Sequence, residues 1–365
     1  MSVAITAIGT ASPVHRQSQK SVIDLMCATL QLTPVEKRML RAVYNASGID
    51  YRHSVLEDFS KPHGELTFFP NDVTKPFPTT AQRMKAYKQH ALPLALRAIE
   101  NCFSNLSFDQ QQITHLVTVS CTGMYAPGID IEIIHALGLK SNIQRTAVNF
   151  MGCYGSFNGI KVAHAICQAN PSAKVLVVSV ELCTLHFQKN FTPDNLIAGA
   201  IFADGAAAAL IESNSKKKHF SLEQFHCDLL PQASKEMAWE IADSGFDMVL
   251  TSYVPQTVES GIAAFAEKLL SLQQLKITDV DHYAIHPGGV KILEACEQSL
   301  NLSQEQNVHA YEVLRQNGNM SSATILFVLK SLWDSVSQEH DGQTIFSCAF
   351  GPGLTLESML LKISS

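Results

Sequence analysis

The run Lys174-Val175-Leu176-Val177-Val178-Ser179-Val180 is apolar at successive positions, not at alternate ones. Strand side chains point alternately to the two faces of a sheet, so such a run fits a strand whose sheet is covered on both sides. Strand-like and helix-like segments alternate around it. Residues 113–119 and 146–150 read as strands, each leading through a turn into a helical stretch, about 127–137 and about 153–169. Further on, residues 254–272 read as an amphipathic helix, 282–286 as a strand, 321–333 as a helix and 344–348 as a strand. This order predicts an α/β layered fold.

The chain has 365 residues, enough for two packed halves. The polar segment Ser213-Asn214-Ser215-Lys216-Lys217-Lys218 is the best boundary between them, dividing residues 1–212 from 213–365. Its basic triplet reads as a solvated linker. In each half a strand runs into a Gly-bearing turn, Ser120-Cys121-Thr122-Gly123 and His286-Pro287-Gly288-Gly289, which suggests duplication without a residue-level repeat.

A net charge of -6 gives no support to nucleic-acid or membrane-surface binding as the main activity. The opening residues 2–9 read as a first strand, not a signal peptide, and no apolar run approaches the roughly 20 residues of a membrane span. The nine cysteines are scattered, with no CxxC pair and no metal-ligand spacing. Reduced thiols in a cytoplasmic protein are the natural reading, with neither a disulfide framework nor a metal site.

Cys153 sits where a strand meets a helix, between Gly152 and Gly155. A thiol at a helix N-terminus feels the positive end of the dipole, which favours the nucleophilic thiolate. The plain alternative is a small buried residue. His286 ends a strand, a place where α/β sheets bind ligands, although most of the 14 histidines will be structural. Asn319 precedes a helix and would serve well as its N-cap.

Four motifs then occur in order: Asn149-Phe150-Met151-Gly152-Cys153, Ile285-His286-Pro287-Gly288-Gly289, Gly318-Asn319-Met320-Ser321-Ser322 and Phe350-Gly351-Pro352-Gly353-Leu354-Thr355. Together they resemble the chalcone and stilbene synthase family, the type III polyketide synthases, over nearly the whole chain from Ile49 through Arg52 onward. The resemblance implies a five-layered αβαβα thiolase-like fold of two similar halves, the first carrying the nucleophile and the second the histidine and asparagine. It implies a homodimer that uses an acyl-CoA starter and malonyl-CoA and needs no cofactor. Cys153 would receive the starter, and His286 would hold it as a thiolate. His286 and Asn319 would bind the malonyl thioester oxygen during decarboxylation, and the enolate would attack the acyl group. The extended chain would then cyclise to a pyrone or phenol.

The same resemblance makes Phe202 an aromatic gatekeeper and places the second gatekeeper position on Met248. Cys183, His186, Trp239 and Ser321 fall on pocket positions. Several differ from the plant pattern, so chalcone formation is not implied. Plant members carry three basic residues on an early helix, where this chain has Met39, Ala42 and Ala46. Arg38 and Arg41 beside them, with Gly288 and Lys291, are candidate CoA contacts, and delivery by an acyl carrier protein stays open. The alternative is a ketoacyl-acyl-carrier-protein synthase-like enzyme that performs one condensation, but its asparagine motif and C-terminal turn differ from those here.

Overall fold

The computed structural model describes residues 2–364 apart from 105, 107 and 252. Its first strand, β1 (Val3–Ala11), is buried along nearly its whole length. A short ribbon of β2 (His15–Ser18) and β3 (Tyr51–Ser54) follows. Next come β4 (His115–Ser120), β5 (Gln144–Asn149), β6 (Lys174–Leu182) and β7 (Asp204–Ser213). The rest of the chain supplies β8 (His219–Leu229), a hairpin of β9 (Met237–Ala242) and β10 (Gly245–Leu250), then β11 (His282–Ile285), β12 (Thr344–Gly351) and β13 (Thr355–Ser364). Nine strands form one mixed sheet in the order β11-β12-β13-β8-β1-β7-β6-β4-β5.

That order contains a repeat. In the first half β4 and β6 are parallel, and β6–β7 and β7–β1 are antiparallel. In the second, β11 and β12 are parallel, and β12–β13 and β13–β8 are antiparallel. The first strand of each set, β1 and β8, meet in the middle. The second set has no counterpart of β5. Its place in chain order is held by the segment around Asn319, which pairs with Phe202 in a single bridge.

Helices cover both faces of the first half. Alternation along β4 sends Val117 and Val119 one way, against Gly159 of the helix Gly155–Ala169. Ser120 points the other way and accepts a hydrogen bond from Tyr87 of the helix Thr80–Phe103 at 2.7 Å. Every residue of β6 but Lys174 is buried, including the polar Ser179 and Glu181, as expected of a strand covered on both faces.

Most elements lie within a few residues of their expected places. The helix expected from about residue 153 begins at Gly155, because a 3-10 turn, Gly152–Tyr154, comes first. The basic triplet is not wholly solvated. Lys218 Nζ donates to the carbonyls of Trp333 (2.6 Å) and Val336 (2.7 Å), capping the helix Thr324–Ser335. No helix among the described residues is long and apolar enough to cross a membrane.

Candidate active site

Beyond β5 the backbone turns through Phe150 (φ 59°) and Gly152 (φ 74°), left-handed conformations that glycine adopts without steric cost. Space also demands glycine at 152, since a Cβ there would lie 2.2 Å from Cδ of Pro352. A Cβ on Gly351 would fall 2.5 Å from the Tyr154 ring. The Gly351-Pro352 turn is therefore the seat of the Cys153 turn, although 198 residues separate Cys153 from Gly351 (351 − 153). Cys153 is buried just ahead of the N-terminus of the helix Gly155–Ala169. Burial pushes its thiol up to about 11, against a lowering by Ser321 and Asn319.

Asn319 is buried, and its amide orientation is set by its neighbours. Its Oδ1 accepts from the Ser321 N–H (2.8 Å) and the Thr324 hydroxyl (3.3 Å). Its Nδ2 donates to the Gly288 carbonyl at 3.2 Å and lies 3.9 Å from Cys153 Sγ. Asn319 is not the N-cap expected of it, since the cap positions fall on Met320 and Ala323; its oxygen bonds within the turn, and Oδ1 and Nδ2 lie 4.0 and 3.9 Å from the thiol sulfur.

The backbone N–H of His286 donates to Cys348 O at 2.8 Å, which ties the end of β11 to β12. The ring is buried, and neither ring nitrogen has a hydrogen-bond partner within the protein. Burial lowers the imidazole to about 3. Burial thus works against the charged form of both groups, and so against the thiolate that the resemblance implies.

Cys153, His286 and Asn319 line one cavity of about 390 Å³, whose wall is chiefly apolar. Behind it Glu181, at the end of β6, accepts from the Cys121 N–H and from the Thr122 and Ser322 hydroxyls. Burial raises this carboxyl to about 7, and those hydrogen bonds oppose the rise. Among the described residues no group of three or more His, Cys, Asp or Glu is arranged to hold a metal ion.

Family models for the N-terminal and C-terminal domains of chalcone and stilbene synthases match residues 2–215 and 221–364. The chain belongs to the chalcone and stilbene synthase family. It is 30% identical over 365 residues to the alpha-pyrone synthesis polyketide synthase-like Pks18 of Mycobacterium tuberculosis, covering 98% of this chain and 91% of that one. Type III polyketide synthase A of Arabidopsis thaliana is also 30% identical, with 98% and 92% covered. Two much longer polyketide synthases of Dictyostelium discoideum match over 98% of this chain but only 11% and 12% of their own length. Among solved structures, PKS-I of the brown alga Ectocarpus siliculosus superposes with a TM-score of 0.92 at 30% identity, covering 99% of this chain and 98% of that one. The protein is a type III polyketide synthase with the thiolase-like α/β fold.

The pocket positions expected of this polyketide synthase all reach the cavity: Phe202, Met248, Cys183, His186, Trp239 and Ser321. Met248 and Trp239 are direct cross-strand partners in the β9–β10 hairpin. Trp239 Nε1 donates to Cys121 O at 2.7 Å, and its ring meets His186 and Phe246 edge-on. His186 stacks on Phe246 at 4.2 Å, accepts its N–H at Nδ1 (3.0 Å) and lies 2.7 Å from Thr122 O through Nε2. Burial lowers His186 to about 3, so it is a neutral wall residue.

Of the candidate CoA contacts, Gly288 and Lys291 line the cavity. Arg38 and Arg41 do not, being exposed on the helix Pro34–Asn45, whose Val43 reaches the lining. Lys291 pairs with Glu294 at 2.7 Å. Phe246 and Glu181 were not singled out from the sequence. Glu181 had a signal, a carboxylate at the end of a strand otherwise apolar on both faces.

Proposed function

We propose that the chain loads an acyl group from CoA onto Cys153, extends it with malonyl-CoA, and forms a small pyrone or phenolic product. The observation that supports this most is the meeting of a thiol, an amide donor and an unpartnered imidazole in one apolar cavity. In loading, Sγ bonds to the starter carbonyl, its proton passes to His286, and the CoA thiol leaves with that proton. In extension, the malonyl carboxylate leaves as CO2 and its bonding electrons become the enolate. Asn319 Nδ2 and an imidazole N–H stabilise the enolate oxygen. The enolate carbon then attacks the acyl thioester, a carbon–carbon bond forms, and the Cys153–acyl bond breaks.

Loss of CO2 itself generates the nucleophile, so the reaction needs no cofactor beyond the CoA thioesters. The name of the mycobacterial relative supports a pyrone among the possible products. A homodimer fits the exposed edge strand β5, and a reducing cytoplasm fits nine free cysteines. Lys291 and Gly288 at the mouth are the contacts proposed for CoA. Exposed Arg38 and Arg41 suit the phosphates of CoA or of a carrier-bound phosphopantetheine.

Purified protein given malonyl-CoA and a series of acyl-CoA starters should yield cyclised products whose masses exceed the starter acyl by several two-carbon units. Products that stop at one condensation would support the ketoacyl synthase reading instead.

A further inference from the structure

Arg52 on β3 is 6% exposed and forms no hydrogen bond to a carboxylate. Its Nη1 donates at 2.7 Å to two carbonyls, those of Gly199 and Phe202, at the C-terminal end of the helix Pro193–Ile201. A helix end leaves such carbonyls unpaired and partly negative, so a cation there is well placed. The guanidinium nevertheless keeps Nε and Nη2 without hydrogen-bond partners. Burying a cation with unpaired donors is costly, and an apolar side chain of similar volume often serves stability as well. The Tyr44 ring, 5.7 Å from the guanidinium carbon, and the nearby Asp204 carboxyl offset part of that cost, and the two carbonyl bonds direct the cation at the Phe202 segment.

The far side of the same segment is held as well. The Asn319 N–H donates to Ile201 O, and the Ala203 N–H donates to Asn319 O, both at 2.9 Å. Residues 199–203 are thus held along one edge by Arg52 and along the other by the backbone of Asn319. Gly318, at φ 71°, lets this happen, since a Cβ there would lie 3.0 Å from both Arg52 Cγ and Ile201 O.

We propose that Arg52 is a positioning residue that fixes the Phe202 segment in register with Asn319, so that gate ring and oxyanion donor keep a constant separation. This rests on the polyketide synthase reading of Asn319 and Cys153. The turn that carries Cys153 is seated on Pro352, and neither hydrogen bond of Arg52 reaches that turn. Malonyl decarboxylation depends on Asn319 and is the half-reaction that Arg52 controls.

The test compares both half-reactions in the full chain, for wild type, Arg52→Met and Arg52→Lys. Acylation of Cys153 is followed by intact-protein mass, and decarboxylation by acetyl-CoA formed from malonyl-CoA. Arg52→Met should acylate at close to the wild-type rate while kcat for decarboxylation falls by about 10- to 100-fold, the scale of a misplaced catalytic group. Arg52→Lys, which keeps one strong donor, should recover part of the loss. If Arg52→Met does not fold, Arg52→Lys carries the test with a smaller drop confined to decarboxylation. Equal falls in both half-reactions, or no fall in either, would overturn the inference. A wild type that never acylates Cys153 would overturn the underlying reading and this inference with it, which separates the two failures.

Discussion

Cys153 Sγ and Asn319 Nδ2 lie 3.9 Å apart, at corresponding points of a duplicated topology. In chain order Cys153 lies between β4 and β6 and Asn319 between β11 and β12, and each sits at a 3-10 turn that leads into a helix, Gly152–Tyr154 in one case and Ser321–Ala323 in the other. Both turns contain left-handed backbone, at Gly152 and at Ser321 (φ 48°). The two ends of the repeat face each other across the cavity and hold different chemistry, nucleophile on one side and donor on the other.

The donor role of Asn319 separates by mutation from the turn bond that its oxygen accepts from Ser321. Asn319→Asp keeps an acceptor for the Ser321 N–H but loses the amide hydrogens, whereas Asn319→Ala loses both. Each should slow malonyl-CoA decarboxylation by roughly 10²- to 10³-fold, as expected for loss of a main oxyanion donor. Decarboxylation at the wild-type rate by folded Asn319→Asp would leave Asn319 only its bond within the turn.

The pH dependence of Cys153 reactivity distinguishes a neutral pair from a standing thiolate. With the thiol raised to about 11 and the imidazole lowered to about 3, the thiolate fraction at neutral pH is small and grows as pH rises. Alkylation by iodoacetamide without substrate, followed on the peptide carrying Cys153, should accelerate about tenfold per pH unit between pH 7 and 9. A plateau from about pH 6 would show that His286 is already protonated beside a thiolate.

Trp239 lines the cavity, packed edge-on against His186 and Phe246, and if its indole limits the space for the acyl chain, the starter range follows. The wild type should therefore prefer short starters, and Trp239→Gly should shift preference to longer acyl-CoAs. Each extra buried methylene is worth about 0.8 kcal/mol, roughly a fourfold gain in kcat/KM. Efficient use of twelve-carbon starters by the wild type would mean the acyl chain leaves the cavity by another path. The residues Met26, Phe59 and Phe187 would mark that path, since they line both the cavity and a small adjoining void.

Strand β5 lies at the sheet edge and exposes every residue but Val148. A free edge of this kind invites pairing with another strand, and pairing of two copies would carry the segment 121–127, with Ala126, toward the partner's cavity. Sedimentation at micromolar concentration should give a dimer of the 40.0 kDa chain. A stable, active monomer would contradict this.

Much of the site was legible in the sequence because its chemistry sits in short motifs. Cys153, His286 and Asn319 each stand close to glycines in motifs that can be read without structural knowledge, and the ten residues from Trp239 to Met248 turned out to span a hairpin that pairs the two. What stayed hidden depends on contacts between distant segments. Lys218 reads as one charge in a basic run until its partner carbonyls, 115 and 118 residues away, come into view. Arg52 enters the sequence reading only within the stretch that carries the resemblance, and the placement of Gly199, Phe202 and Gly318 around it comes from the fold alone. The thiolate expected of Cys153 depends on burial, which no motif reports.

The central claim is that Cys153 carries the growing chain, and covalent capture tests it most directly. Wild-type protein incubated with an isotopically labelled acyl-CoA, quenched and digested, should show one acyl group on the peptide bearing Cys153. Cys153→Ala should show none and make no polyketide, yet still release CO2 from malonyl-CoA, because Asn319 and His286 remain. Label retained by Cys153→Ala, or found on another cysteine of the wild type, would contradict the account.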